Sequence, residues 1–572
     1  MKRLLLATLL LLLLLFNPLY ADPIPPKAAI ASAHPLATEA GLEILKQGGN
    51  AFDAAITVAA VLAVVEPYSS GIGGGGFWLL HRASDGTQTM LDGRETAPLA
   101  AHRDMYLDTE GNHDRNLSLN GPLAAGIPGV PKAMDHLAKN YGKLPLSISL
   151  APAIRLAREG FKVDGYMRYM IKARKKALLN SPAAVAIFLD NGEVPDLGKI
   201  IVQNDLANTL EAIATQGANG FYQGAVADQL INGTQAAGGI WKAEDLTNYQ
   251  VVERQPITGT FHGTRIISAA PPSSGGIALV ETLNILEKLP YGQAGKIKDA
   301  HLVIESMRRA YRDRAAHLGD PDFVTVPIAK LTSKTHADKW QKDVDVEMAT
   351  PSEMLPPAVV EGAKGSDTTH YSIIDQQGNR VAATLSINIP FGSGFIPPGT
   401  GVILNDEMDD FSAKPGSPNV YGLVGNEANA IQPGKRPLSS MTPTFLENDR
   451  GVAILGTPGG SRIISMVLLA SLSYHQGADA ETMVSRARFH HQYLPDSVLM
   501  EPAAFSEIEQ KRLSAMGHTL KNTSPGYSGK GHYGNMHAII WDQNHNLIDT
   551  ASDPRGIGAA NTLKVEIPHK SR

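Results

Sequence analysis

The stretch from Ser366 to Ile387, SDTTHYSIIDQQGNRVAATLSI, decides how this chain is read. Two runs in it, THYSIID (369–375) and RVAATLSI (380–387), are rich in Thr, Ile, Val and Tyr. QQGN between them supplies turn chemistry, so the stretch predicts a β-hairpin. Asp367, Thr368 and Thr369 stand at its mouth, with no histidine at a familiar spacing, no metal-ligand pattern and no cysteine beside them. A threonine hydroxyl is a poor nucleophile until a base takes its proton. Cleavage between Asp367 and Thr368 would make Thr368 N-terminal, and its own α-amine, with a pKa of about 7.7–8.0, would then serve as that base. A plainer reading, a strand entry that carries hydroxyls by chance, stands beside it at this level.

The flanks suit the first reading. Residues 343–367, DVDVEMATPSEMLPPAVVEGAKGSD, are rich in Pro, Glu and Gly with little periodicity, and predict a mobile surface connection where a cut would fall. Beyond Thr368 the texture is strand-like: GTGVILNDEMDDF, PTFLENDRGVAILGTPGG, SVLMEP and HAIIWDQNHNLIDTASDP, with one helix from about Ser461 to Gln476. From about residue 100 to 350 the chain reads as mostly helical, as in PGVPKAMDHLAKNYG, LSISLAPAIRLAREGF, QNDLANTLEAIATQG and ALVETLNILEKL. Nearer the start, residues 34–80 predict a helix, a Gly-Gly-Asn stop, a buried helix, a Gly-rich turn and a strand. A helical first part and a strand-rich second part predict a layered α/β architecture.

The 572 residues suffice for a large layered unit, and 43% hydrophobic with 19% charged residues describes a globular chain. Net charge is −5 without a basic stripe, which gives nucleic acid no electrostatic footing. MKR, the apolar run Leu4–Phe16 and a small residue before Asp22 match a cleavable export signal over residues 1–21, with an uncleaved anchor as the alternative. Export permits disulfides, yet the chain has no Cys, so core size must supply its stability.

Three motifs invite other chemistry. GIGGGG (71–76) satisfies the dinucleotide pattern, but a helix precedes it and a strand follows, the reverse of what a pyrophosphate site needs; a tight turn with close backbone packing fits better. His490 and His491 lie near Asp496, but neighbouring strand residues point to opposite faces, so a structural role is expected and no metal. The acidic cluster NDEMDDF lacks an EF-hand pattern. It reads equally as a receiver for a substrate ammonium group and as a solvated acidic turn.

DTTHYSIIDQQGNRVAATLSIN, NDEMDDFSAKPGSPNVYGLVGNEANAIQPGKRPLSSMTPT and GTPGGSRII, with LDGRETAPLAA and DPDFVTVPIAKLTS earlier, resemble the γ-glutamyltransferase (γ-glutamyl transpeptidase) family in order and over almost the whole mature chain. The resemblance implies the four-layer αββα sandwich of the N-terminal nucleophile hydrolases. It also implies self-cleavage at Asp367–Thr368 into a large subunit (22–367) and a small one (368–572). It makes Thr368 the nucleophile. Ser386 stands where the family usually has a second threonine that positions it, and the lost methyl loosens χ1. Asn388 is expected on the same strand face as Ser386. Arg94 matches the arginine that binds the substrate α-carboxylate, aided by Ser439 and Ser440. Glu407 and Asp410 match the receivers of the α-ammonium group, giving a pocket with Arg94 at one end and the acids at the other. Gly459 and Gly460 match the backbone donors to the tetrahedral oxyanion, and Tyr421 matches the gating aromatic of a lid loop. His537 replaces a glutamine expected there.

The implied activity is γ-glutamyl transfer from glutathione or related donors to water, amino acids or peptides, without metal or cofactor. The small-molecule substrates and the paired subunits are the expected partners, in the periplasm or medium. A glutaryl-type acylase of the same superfamily, and an uncleaved γ-glutamyl-binding protein, are the alternatives. The first needs no ammonium site. The second fits poorly with an intact Thr368, Arg94 and TPGGS turn.

Overall fold

The computed structural model describes residues 23–356, 368–414, 427–531 and 533–564. The N-terminal segment 1–21 and the lid residue Tyr421 therefore lie outside the described residues, as do residues 357–367 of the connection, with Asp367.

Among the described residues, thirteen strands build two large antiparallel sheets. In chain order they are β1 (Ala28–Ser32), β2 (Gly75–Arg82), β3 (Thr87–Gly93), β4 (Val252–Arg254), β5 (Ile257–Phe261), β6 (Thr264–Ser268), β7 (Thr369–Ile374), β8 (Arg380–Ser386), β9 (Thr444–Asn448), β10 (Gly451–Gly456), β11 (His537–Asp542), β12 (Leu547–Ser552) and β13 (Ala559–Leu563). The seven-stranded sheet runs β13-β1-β7-β8-β2-β3-β4, the six-stranded one β12-β11-β10-β9-β6-β5.

The predicted hairpin is β7–β8, with Leu385 opposite Thr369 and Thr384 opposite His370. Asp375 closes its turn: Oδ1 accepts from the N–H of Gln377 and Asn379, and Gly378 takes φ 89°. The hairpin occupies the centre of its sheet, flanked by β1 and β2. The first part of the chain is thus more than helical. It supplies β1–β4 to one sheet and β5–β6 to the other, so residues on either side of Thr368 interleave in both layers.

The helices are α1 (Pro35–Lys46), α2 (Ala51–Val65), α3 (Val130–Asn140), α4 (Leu146–Glu159), α5 (Asn204–Gln216), α6 (Gly275–Leu286), α7 (Lys296–His317) and α8 (Ile463–His475), with shorter ones between. Trp78, Leu80, Tyr371, Ile373, Val381 and Ala383 face one core with α2, α4 and α5. Alternate residues Phe77, Leu79, Ile374 and Ala382 face the second, with both sheets, α6, α7 and α8. The layers are helix, sheet, sheet, helix, which is the expected αββα sandwich.

α2 is buried along its whole length, which its unbroken Ala/Val/Leu composition allows. Asn50, read as part of the stop of α1, is instead the N-cap of α2: Asp53 N–H donates to Asn50 Oδ1 at 3.0 Å and Asn50 N–H to Asp53 Oδ2 at 2.9 Å. Gly48 (φ 93°) ends α1. The glycine run does what tight packing asks of it. A Cβ on Gly74 would lie 2.1 Å from the Ser386 carbonyl, and one on Gly73 2.1 Å from that of Ile403.

The structure departs from expectation at 399–411, where no strand forms. Leu404, Asn405 and Asp406 donate to Phe395, Gly73 and Ile387 in turn, three different neighbours, and the segment ends in a 3₁₀ turn, Glu407–Asp410. Among the described residues no helix is long and apolar enough to cross a membrane.

Candidate active site

Thr368 immediately precedes β7 and is 5% exposed. Strand alternation divides the roles of its neighbours. Thr369 turns toward α2, where its hydroxyl donates to Glu66 at 2.6 Å. His370 turns the other way, its ring against Gly456 of β10, where a Cβ would sit 2.3 Å from it. Thr368 shares His370's side, and its Oγ1 donates to Ser386 Oγ at 3.2 Å. Ser386 Oγ also accepts the Asn388 N–H at 2.7 Å. Asn388 reaches the site through a left-handed turn (φ 79°) rather than strand alternation, and its Nδ2 donates to the Asp406 carbonyl.

Thr368, Ser386, Asn388, Arg94, Glu407, Asp410, Ser439, Ser440 and Gly460 border one cleft, walled by Leu438, Met441 and Ile463. Residues far apart in sequence therefore meet at one cleft. Gly459 (φ 140°) is set against Met466, where a Cβ would lie 2.4 Å from Cε; Gly460 (φ 57°) borders the cleft.

Arg94 and the acids are arranged differently from the two-ended pocket expected. Arg94 is fully buried, with Nη1 2.6 Å from Glu407 Oε2 and Nη2 2.6 Å from Asp410 Oδ2, while Glu95 lies 3.5 Å away. Three carboxyls thus share one guanidinium. Burial disfavours the charge of Arg94, but Glu407, Glu95 and Asp410 outweigh it and hold its pKa above the usual range. Burial raises Glu95 to about 7 and Glu407 well above the carboxylate range, against the pull of Arg94. The guanidinium keeps its charge. Glu407 Oε1 is buried with no hydrogen-bond partner among the described residues. An acceptor oxygen is thereby left over for a donor entering the cleft.

Ser439 and Ser440 are each primed from behind. Ser439 Oγ accepts the Met441 N–H at 3.2 Å, and Ser440 Oγ accepts from Arg314 Nη2 at 3.1 Å. Both hydroxyl hydrogens remain for an acceptor in the cleft. His490 and His491 have separate structural partners, Ser465 and Gln492 for one and Asp496 for the other. His537 is buried where β11 begins, its Nδ1 3.2 Å from Ser552 Oγ, and burial lowers its pKa to about 3.

Two residues beside the site carry no sequence signal. Arg314 stands in a run of four arginines, and Glu66 follows α2 like any terminal acid. Burial pushes the Glu66 carboxyl up to about 8, its hydrogen bonds from Thr369 and Ser69 opposing. Between about pH 4.5 and 8 the unfolded chain has released this proton and the folded chain still holds it. Stability therefore falls as pH rises across that window, by on the order of 5 kcal/mol, and levels off above it. Glu66→Gln keeps the acceptor for Thr369 and removes the titration. It is expected to gain on its parent in urea midpoint as pH goes from 5 to 8; parallel curves would contradict the assignment.

A family model described as gamma-glutamyltranspeptidase matches residues 37–563. The glutathione hydrolase proenzyme of Pseudomonas sp. (strain A14) is 43% identical over 519 residues, covering 89% of this chain and 90% of that protein. The proenzyme of the same description from Escherichia coli (strain K12) is 41% identical, covering 95% and 92%. Among solved structures, a cephalosporin acylase from Bacillus halodurans superposes with TM-score 0.83 at 28% identity, covering 96% of this chain and 99% of its own. Helicobacter pylori gamma-glutamyltranspeptidase gives TM-score 0.56 at 41% identity, covering 57% of this chain and 94% of its own.

Proposed function

This chain belongs to the γ-glutamyltranspeptidase family, and from that premise we propose that Thr368, freed by cleavage after Asp367, is the nucleophile of its cleft. The protein is a glutathione hydrolase and γ-glutamyltransferase made as a proenzyme.

In the uncut chain the nitrogen of Thr368 is a peptide nitrogen and no base. Attack of Oγ1 on the Asp367 carbonyl carbon, an N-to-O acyl shift, converts the peptide into an ester, and water hydrolyses it. This leaves a carboxylate on Asp367 and an amine on Thr368. The subunits 22–367 and 368–572 stay together because their strands share both sheets. The amine then takes the Oγ1 proton as Oγ1 attacks the γ-carbonyl of a donor such as glutathione. Ser386 orients Oγ1, and the Gly459–Gly460 backbone donates to the oxyanion at the turn before α8. Collapse expels the donor's amine, which takes the proton. The γ-glutamyl ester left on Thr368 passes to water, or to the amine of an acceptor amino acid or peptide, by the same steps.

The observation that carries this reading is the buried Glu407 Oε1, without a hydrogen-bond partner among the described residues, beside Asp410 in the cleft of Thr368. An α-ammonium group supplies the second cation those carboxyls lack, and the serine hydroxyls face the α-carboxylate. An acyl donor without an ammonium would leave the acids unmatched. A γ-glutamyl anilide is therefore expected to turn over at least about 100-fold faster, in kcat/KM, than its glutaryl counterpart. Equal rates would instead favour the acylase reading that the Bacillus halodurans likeness raises. The charged, apolar and small-residue pattern of residues 1–21 supports export to the periplasm or medium. Cell fractionation that finds the activity in the cytoplasm would contradict this.

A further inference from the structure

Helix α7 carries four arginines close together. Arg308 and Arg309 pair with Glu305, and Arg312 pairs with Asp313. Arg314 does not follow them. It is 3% exposed, makes no ion pair among the described residues, and is held only by two hydroxyls: Nε donates to Ser274 Oγ at 2.8 Å and Nη2 to Ser440 Oγ at 3.1 Å. A buried guanidinium without a counter-charge is costly to keep. Burial pulls its pKa down to about 10, with the field of Tyr311 and the more distant Asp410 opposing.

Its two contacts lead to the cleft. Ser274 Oγ passes its own hydrogen to the Ser439 carbonyl at 2.7 Å, which fixes the Ser439–Ser440 turn. Ser440 Oγ, already accepting from Arg314, has its hydrogen left to donate, and Ser440 borders the cleft. The charge count points the same way. Arg94 is spent on Glu407, Asp410 and Glu95, three carboxyls against one cation. An entering carboxylate therefore gains from a second cation besides Arg94.

We propose that Arg314 is a positioning residue that adds a second counter-charge, behind that of Arg94, for the donor's α-carboxylate, acting through Ser440. The inference rests on the γ-glutamyl reading above. Arg94 borders the same cleft beside the acids that take the ammonium, and Arg314 polarises from behind one of the hydroxyls that take the carboxylate. A hydroxyl that accepts from a cation is a stronger donor than one that does not.

The test compares the parent enzyme with Arg314→Met and Arg314→Lys, on γ-glutamyl-4-nitroanilide and on the same donor with its α-carboxylate converted to a carboxamide. Each chain is first checked for the two-subunit form. Arg314→Met is expected to lose about 10- to 100-fold in kcat/KM on the carboxylate donor, mostly in KM, and less than about threefold on the carboxamide. Arg314→Lys, which keeps the charge but not the paired contacts, falls between. If the methionine chain does not mature, the lysine chain carries the same comparison. If the carboxamide turns over too slowly, inhibition constants for L-glutamate and its α-amide replace the rates. Equal losses on both donors, or none on either, would overturn the proposal. Failure of the γ-glutamyl reading looks different, because the parent itself would then fail to hydrolyse the carboxylate donor or would treat both donors alike.

Discussion

A Thr368→Ala chain is expected to remain one polypeptide and to hydrolyse γ-glutamyl anilides at no more than about one ten-thousandth of the parent rate. The substitution removes Oγ1, the atom that both the acyl shift and the donor reaction require. It leaves the fold almost untouched: Ser386 keeps the Asn388 N–H, and the hairpin keeps its ladder. Loss of cleavage and loss of turnover should therefore come together, with circular dichroism and melting close to those of the uncut parent. Thr368→Ser separates hydroxyl from methyl. It is expected to mature and turn over roughly tenfold more slowly, since the serine hydroxyl keeps its bond to Ser386 but lacks the χ1 restriction of a β-branched chain. Electrophoresis under denaturing conditions, with the anilide assay, reads both. A Thr368→Ala chain that still splits at this bond would remove the nucleophile assignment.

The second large effect belongs to Arg94. Arg94→Met leaves Glu407, Asp410 and Glu95 facing one another in a buried pocket with no guanidinium between them. Removing one partner of such a cluster costs about 3–5 kcal/mol, because the remaining charges must either stay unpaired or take up protons. Neutral carboxyls no longer attract an ammonium group, so donor binding should fall with stability, by about 1000-fold in kcat/KM. Adding Glu407→Gln to Arg94→Met should recover part of the stability and little of the activity. Urea unfolding of the uncut Thr368→Ala background and rates on the mature enzyme check the two halves. Arg94→Met with unchanged stability would show that the cluster is not held by its charges.

The hairpin is legible in the sequence because its signals are local: β-branched runs, an Asp and Gly turn, and hydroxyls at the mouth. The αββα layering comes from the family resemblance. The placement of β5 and β6 in the second sheet does not, because residues 257–268 are short strands within a largely helical region. The run VIL at 402–404 reads as a strand, yet its backbone partners are separate loops, which only tertiary structure reveals. Site residues are legible as types and not as geometry. That Arg94 touches Glu407 and Asp410 directly depends on folding residue 94 against residue 410, and no spacing encodes it. Arg314 is invisible for the same reason. Its lack of a carboxylate distinguishes it from Arg308, Arg309 and Arg312 only once their partners are seen.

The most direct measurement of the central claim is the N-terminal sequence of the smaller chain after the purified protein has matured. The expected sequence is Thr-Thr-His-Tyr, beginning at Thr368. A different first residue, or full activity in a protein that remains a single chain, would contradict it.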